Sequence, residues 1–307
     1  MEYFGIDVGG TQVKWAIVNE DYQIIVQGKI PTDFSSADEL VDALVKLVEP
    51  YRDRVGAIAA SVPGTVQADD PDGTIIGGGA LTYMDKFPLA RALTDRLGLP
   101  AVIDNDGKSC ANGEYAAGAL KGTKVGVVMV IGTGLGGGVV IDGTVFRGAH
   151  GNATEISGIV SNHECAPGKF DLGNMGAIRG GWMGLRGYVC AEKGISPEEA
   201  KDIDGIQIFQ WVDAGDEAAI RGLHTYARYV VSLCHTLQVV LDPDAIAIGG
   251  GISAAPALIE AIHAEEDALY EGWPFPQMKK PNIVLCEMGN DANIVGAVYE
   301  ARRRLHI

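Results

Sequence analysis

Two kinds of residue in this chain could do chemistry: glycines massed after apolar runs, and carboxylates at strand ends. Gly9-Gly10-Thr11, Gly132–Gly138 and Gly249–Gly251 each follow an apolar run. Glycine lets a backbone come close and turn its N–H groups outward, and such arrays cradle phosphate oxygens. One cluster alone reads more readily as a plain hairpin turn. Three in the same context, two of them with a threonine as a further donor, point to a nucleotide site. Asp104-Asn105-Asp106 directly follows the strand-like run Ala101–Ile103 and precedes a helical stretch, Ser109–Leu120. A carboxylate at the carboxyl end of a strand in an open α/β sheet lies where ligands bind. There it could take the proton of an attacking hydroxyl in phosphoryl transfer. The plainer reading is that Asp104 and Asp106 cap the helix.

One apparent match fails on context. Gly132-Thr133-Gly134-Leu135-Gly136-Gly137 spells the dinucleotide fingerprint G-x-G-x-x-G, but that motif must open a helix whose N-terminus meets the pyrophosphate. Here Val139-Val140-Ile141-Asp142-Gly143 follows, a strand and a turn. Gly168-Lys169 continues into Phe170 rather than Ser or Thr, so there is no Walker A loop either.

The elements that must hold these residues alternate along the chain. Tyr3–Asp7 and Val13–Val18 read as strands around the Gly9-Gly10 turn, and Asn19-Glu20-Asp21 starts another turn. Ser36 and Glu39 form a capping box ahead of Leu40, Leu44, Leu47 and Val48, and Pro50 stops that helix. Val55–Ser61 suits a buried strand closed by Pro63-Gly64, and Pro88–Leu97 suits another helix. Val125–Ile131, the glycine turn 132–138 and Val139–Ile141 then repeat the opening strand–turn–strand unit. A duplicated two-lobe protein would look like this, though so short a match weighs evenly against chance. Helical pieces are expected near 175–192 and 205–213, and a long helix over Asp216–Leu241. The strand Asp244–Ile248 runs into the third glycine cluster, and Ile283–Cys286 and Ala292–Arg303 close the chain as a strand and a helix.

Composition bounds the function classes. The 307 residues are 47% hydrophobic and 21% charged, which supplies a sizeable core and excludes wholesale disorder. A net charge of −16 disfavours nucleic acid and anionic membrane surfaces, which need clustered Lys and Arg. No apolar stretch is long enough to span a membrane, and Met1–Asp7 has neither the basic nor the apolar region of a secretory signal. Cys110, Cys165, Cys190, Cys234 and Cys286 are scattered without a C-x-x-C, so reduced thiols in a cytoplasm are expected.

At this point a family resemblance becomes specific. Asp7-Val8-Gly9-Gly10-Thr11-Gln12-Val13-Lys14-Trp15-Ala16 resembles the first phosphate motif of the ROK family (repressors, open reading frames and sugar kinases). Asn105-Asp106 with Ala111 and Glu114, then Ile131–Gly138, Glu155-Ile156, Ile248–Gly251 and the closing Gly296-Ala297, are similar to its remaining motifs in the expected order. The resemblance implies an α/β protein with the duplicated two-lobe actin-like (ribonuclease H-like) fold, and ATP and sugar in the interlobe cleft. The first, smaller lobe would be residues 1–106 plus about 290–307, and the second, larger lobe 107–289. It implies Asp106 as general base, with Asn105, Glu155 and Gly79 on the sugar. Asp7 would face magnesium through water. Gly9, Gly10, Thr11 and Lys14 would form the first phosphate loop and Gly132, Thr133 and Gly134 the second, with Gly249 and Gly250 against the adenosine. ATP and Mg²⁺ are the implied cofactors, and a homodimer the implied assembly.

The departures from the pattern narrow the expectation. Members carry Glu-x-Gly-His, whose His serves both sugar and zinc; here Glu155-Ile156-Ser157 is followed by Gly158. The C-x-C-G-x-x-G-C zinc cluster is reduced to Cys165, and the Asn-Leu sugar contact reads Ala80-Leu81. No zinc is expected, because the adjacent His163, Glu164 and Cys165 would rarely converge on one ion. This pattern, with Pro167-Gly168-Lys169-Phe170, is similar to zinc-free members resembling the β-glucoside kinases. The expected activity is ATP-dependent phosphorylation of the 6-hydroxyl of a hexose or β-glucoside. The alternatives are a sugar-responsive regulator and a catalytically inactive sugar sensor. The family's repressors carry a DNA-binding domain ahead of the first motif, which here starts at residue 7, and the acidic charge also opposes that reading. The sensor is opposed by Asn105, Asp106 and the intact glycine loops.

Overall fold

The structure, a computed structural model, describes residues 1–132, 134–159, 178 and 184–307. Its first strands follow the alternation of the sequence: β1 (Glu2–Val8) and β2 (Gln12–Val18) pair antiparallel around the Gly9-Gly10 turn. The ribbon continues into β3 (Ile24–Pro31), which the sequence reading missed. Half-buried and exposed residues alternate along it, so it shows no continuous apolar run. Parallel to β1 lies β4 (Val55–Val62). After the two-stranded ribbon β5 (Thr65–Val66) and β6 (Ile75–Ile76), β7 (Ala101–Asn105) pairs parallel with β4. The sheet order is β3-β2-β1-β4-β7.

One face of this sheet is closed by α1 (Ala37–Val48) and α2 (Leu89–Leu97), whose Leu40, Leu44, Leu89 and Leu93 pack with Phe4, Ile6 and Ile58. Ser36 caps α1 by accepting from the Glu39 backbone at 3.3 Å. The Glu39 carboxylate reaches back one residue further than a capping box requires, to Ser35 N at 2.8 Å. The other face is covered by α8 (Ala292–Leu305), whose Ile294, Ala297 and Val298 pack on Tyr3, Ala57 and Ala59. On α8 lies α3 (Asp106–Ala117). A Cβ on Gly296 would stand 1.7 Å from the Ser109 carbonyl oxygen, so only glycine permits that crossing.

The second sheet contains β8 (Val125–Ile131), β9 (Leu135–Ile141), β10 (Thr144–Val145), β11 (Ala245–Gly249) and β12 (Ile283–Leu285), in the order β10-β9-β8-β11-β12. It repeats the first sheet strand for strand, with an antiparallel hairpin on one side and parallel strands on the other. The repetition therefore extends to a whole five-stranded unit. The return strand begins at Leu135, so Gly136–Gly138 belong to β9 and not to the turn. The fingerprint does run into a strand, as its context required.

The remaining helices are α4 (Leu185–Glu192), α5 (Gly205–Asp213), α6 (Glu217–Leu241) and α7 (Pro256–Tyr270). Asp216 caps α6 by accepting from Ala219 N at 2.9 Å, and Asp242 ends it at φ 45° just before Pro243. α7, unexpected from the sequence, opens on a first-turn proline and packs on α6. The chain falls into two compact units, one of Met1–Thr123, Gly138–Thr154 and Glu287–Ile307, the other of Lys124–Gly137 and Glu155–Cys286. Among the described residues no helix is long and apolar enough to cross a membrane.

Candidate functional site

In the first unit the strand register sets one polar row across the sheet. Lys29, Lys14, Asp7, Ser61 and Asp104 are successive cross-strand partners on β3, β2, β1, β4 and β7. Partners in register share a face, and earlier along the same face stand the apolar Tyr3, Ala16, Ala57 and Ala59. Asp7 Oδ1 accepts from Asn293 Nδ2 at 3.0 Å, while Oδ2 lies 3.8 Å from Lys14 Nζ. Past Asp7 the chain turns tightly, with Gly9 N donating to Gln12 O at 3.0 Å. Thr32, which sequence reasoning did not select, holds this turn from outside. Its hydroxyl donates to Gly9 O at 2.8 Å and its N–H to Thr11 O at 3.0 Å. Asp7, Gly9, Thr11 and Lys14 line a cavity of about 620 Å³ together with Lys29 and Asn290. Gly79 sits in a run of three glycines that all have positive φ. Its neighbour Ala80 would meet a Cβ on Gly10 at 3.4 Å.

At the end of β7, Asn105 is the N-cap of α3. Its Oδ1 accepts from Lys108 N at 3.1 Å, and its Nδ2 donates to Gly64 O at 2.8 Å and Asp106 Oδ1 at 3.0 Å. The cap is thus Asn105 and neither aspartate, because its oxygen faces the N–H of the third residue on. Asp106 is exposed at the first helical position, where the helix N-terminus favours a negative charge. Asp104 is 1% exposed, and both its oxygens are held by Arg147, at 2.8 and 2.6 Å. It cannot serve as a base. Arg147 also donates to Glu300 at 2.9 Å. Burial pushes the Glu300 carboxyl up, yet the hydrogen bonds from Arg303 and the charges of Arg304 and Arg147 outweigh it and hold the group at about 2.

In the second unit, Gly132 N donates to Gly134 O at 2.9 Å, closing an exposed tight turn. Gly250 has φ 102°, and a Cβ there would stand 2.0 Å from Ile131 O. The ends of β8 and β11 therefore meet backbone to backbone, which brings Gly249 and Gly250 to the Gly132 turn. Glu155 is exposed and opens a single 3₁₀ turn, its carbonyl accepting from Gly158 N at 3.0 Å. Nothing among the described residues lies within 4 Å of where a Gly158 Cβ would be. Thr133, the residues His163, Glu164 and Cys165, and the Pro167–Phe170 loop lie outside the described residues. Among the described residues no group of three or more His, Cys, Asp or Glu could hold a metal ion.

The ROK family pattern matches residues 3–304. The glucokinase of Halalkalibacterium halodurans is 29% identical over 314 residues, covering 96% of this chain and 93% of that protein. A ROK family protein from Streptococcus pneumoniae TIGR4, solved in complex with sucrose, superposes with a TM-score of 0.87 at 26% identity, covering 100% of this chain and 99% of that one. A ROK family glucokinase from Streptomyces griseus, solved in complex with glucose and AMPPNP, gives 0.80 at 26% identity over 99% and 100% of the two chains. The chain belongs to the ROK family, and its duplicated α/β architecture is the actin-like fold of that family's sugar kinases.

Proposed function

We propose that this ROK-family chain is an ATP-dependent sugar kinase that phosphorylates the 6-hydroxyl of a hexose or β-glucoside. The observation that carries the reading is the contrast between two neighbouring aspartates. Asp104 is buried in a guanidinium fork, while Asp106 stands exposed at the start of α3. Asp106 takes the proton of the acceptor hydroxyl as it attacks. The hydrogens of the Asn105 amide are already used by Gly64 and Asp106, so it offers the sugar the second lone pair of Oδ1. Glu155 and Gly79 complete the sugar contacts. Gly9, Gly10, Thr11 and Lys14, with Gly132, Thr133 and Gly134, hold the phosphates by backbone N–H and charge, and Gly249 and Gly250 lie against the adenosine. Asp7 is a single carboxylate, nearly buried and with one oxygen on Asn293. That suits magnesium arriving on phosphate oxygens with its own waters rather than in a protein cage. When bound, the ion supplies positive charge to the transferring phosphoryl group.

The relative crystallised with glucose and AMPPNP supports the nucleotide and the sugar class. Among the described residues nothing fills the space beside Gly158, which favours an acceptor larger than a free hexose, as does the relative crystallised with sucrose, a disaccharide. Losing a hydrogen bond to the anomeric hydroxyl removes about 1–3 kcal/mol of preference for free sugars. The test is ATP consumption over glucose, N-acetylmannosamine, fructose, cellobiose and methyl β-glucoside, with the phosphorylated carbon identified by NMR. A β-glucoside should be used at least as well as glucose, as kcat/KM. A strong preference for free glucose rejects the β-glucoside assignment, and no turnover with any sugar rejects the kinase.

A further inference from the structure

We propose that Arg147 is a positioning residue for catalysis, which holds Asp106 in place through Asp104. This rests on the reading of Asp106 as the base. Asp104 Oδ1 accepts from two donors, its own neighbour Asn105 N at 2.8 Å and Arg147 Nη1 at 2.8 Å. Its Oδ2 accepts from Arg147 Nη2 at 2.6 Å, completing a two-bond fork. The same Nη2 donates to Glu300 Oε1 at 2.9 Å. Glu300 is in turn held by Arg304 Nε at 2.7 Å and Arg303 Nη2 at 2.9 Å, both on α8. Three elements therefore converge on the corner where β7 becomes α3: the strand itself, the segment after β10, and α8.

Burial makes this network informative. The side chains of Asp104, Glu300 and Arg147 are 1%, 0% and 10% exposed. Packed apolar side chains would serve stability as well as a buried ion pair or better, because the desolvation of the charges offsets their attraction. What the fork adds is direction. A carboxylate gripped on both oxygens cannot rotate, and its Oδ1 fixes the peptide N–H from which Asn105 and Asp106 extend. The strand side of the corner is already fixed by the pairing of Asp104 with Ser61. A displacement of about 1 Å in a catalytic group can cost on the order of 100-fold in rate. The Arg147 fork is the contact that prevents such a displacement at Asp106.

The experiment compares wild type with R147A, R147K and D106N in steady-state ATP-dependent sugar phosphorylation, after circular dichroism and melting curves establish folding at the assay temperature. R147A should lose at least tenfold in kcat while KM for sugar and for ATP stays within about threefold. Guanidinium chloride at tens of millimolar should restore a large part of that loss, whereas sodium chloride should not. R147K keeps the charge but not the fork and should fall between. If R147A does not fold, the neutralised pair D104N/R147M removes the unbalanced charge and should show the same loss in kcat. A variant that keeps kcat within twofold, or a loss that guanidinium fails to relieve, overturns the proposal. D106N separates the two claims. Normal turnover in D106N defeats the base assignment itself, while an inactive D106N beside a normal R147A defeats only the positioning role.

Discussion

Replacing Glu114 by Gln changes one atom in a fully buried carboxylate, and the structure sets the cost. Its Oε2 accepts from Ala119 N at 2.9 Å and Glu287 N at 3.0 Å, and its Oε1 from Met288 N at 2.9 Å. A glutamine can keep its oxygen at the Oε2 position and two of the three bonds. Its amide nitrogen then faces the Met288 N–H, donor against donor. The lost charge-assisted bond is worth about 1.5–3 kcal/mol, and the two retained bonds weaken because their acceptor is now neutral. Relief of the buried charge recovers part of this, which leaves a net loss of about 2–3 kcal/mol. At about 2–4 °C per kcal/mol for a chain of this size class, Tm should fall by about 5–10 °C. Calorimetry of both proteins at neutral pH measures it, with E114A, which leaves all three N–H groups unpaired, expected to fall further. An E114Q protein melting within about 1 °C of wild type would mean that the three bonds contribute nothing net.

Other outcomes follow from the same geometry. D106N should lower kcat by about three orders of magnitude with sugar binding largely retained, measured by kinetics beside equilibrium sugar binding. G250A should fail to fold or melt far below wild type, since its Cβ would stand 2.0 Å from Ile131 O at a φ of 102°; a soluble variant with an unchanged Tm would contradict this. Glu300 is held at about 2 against an ordinary 4.5. Its depressed value stabilises the fold above pH 4.5 by about 3 kcal/mol, and that contribution is lost as pH falls through about 2. The Tm gap between wild type and E300Q should therefore be constant above pH 5 and shrink between pH 4.5 and 2, and a gap independent of pH over that range would exclude the assignment. Elemental analysis of the purified protein should find no stoichiometric zinc; about one zinc per chain would reopen His163 and Cys165 as ligands.

What could be read in the sequence was whatever depends on local pattern. The strands around Gly9-Gly10, the capped helix after Ser36 and the strand–carboxylate–helix order at Asp104–Asp106 are all set by near neighbours, and the structure reproduces them. The errors have physical causes. Gly136–Gly138 resembled a turn because glycine usually breaks strands, yet in β9 they serve close packing. A Cβ on Gly138 would stand 2.6 Å from that of Ala111 on α3, and one on Gly137 would stand 2.7 Å from Ile156 Cδ1. Turn glycines and packing glycines look alike until the neighbour is known. Arg147 carried no local signal at all. Its partners Asp104 and Glu300 lie 43 and 153 residues away, and only the fold unites the three. Asp104 for the same reason looked like a second candidate base, because the guanidinium that occupies it could not be seen.

The duplication itself bears on how the chemistry is divided. Two sheets with the same strand order began with equivalent strand ends, but those ends now differ in kind. In the first sheet the row reads Lys29, Lys14, Asp7, Ser61 and Asp104, four of its five positions charged. In the second, the strands end on Ile131 and Gly249, with Leu135 opening the return strand and Cys286 just past the last, and none of these is charged. Phosphoryl transfer needs charge at the reacting atoms and a carboxylate to accept a proton; in the kinase proposed above, the charge would come from the end of the first sheet and the carboxylate from Asp106, the first residue of α3 after β7. A nucleoside carries no charge and is recognised by close backbone approach and shape, which is the part the proposal gives to the bare Gly249-Gly250 corner. Divergence at the strand ends, with strand order unchanged, is how a repeated fold would support the asymmetric reaction proposed above.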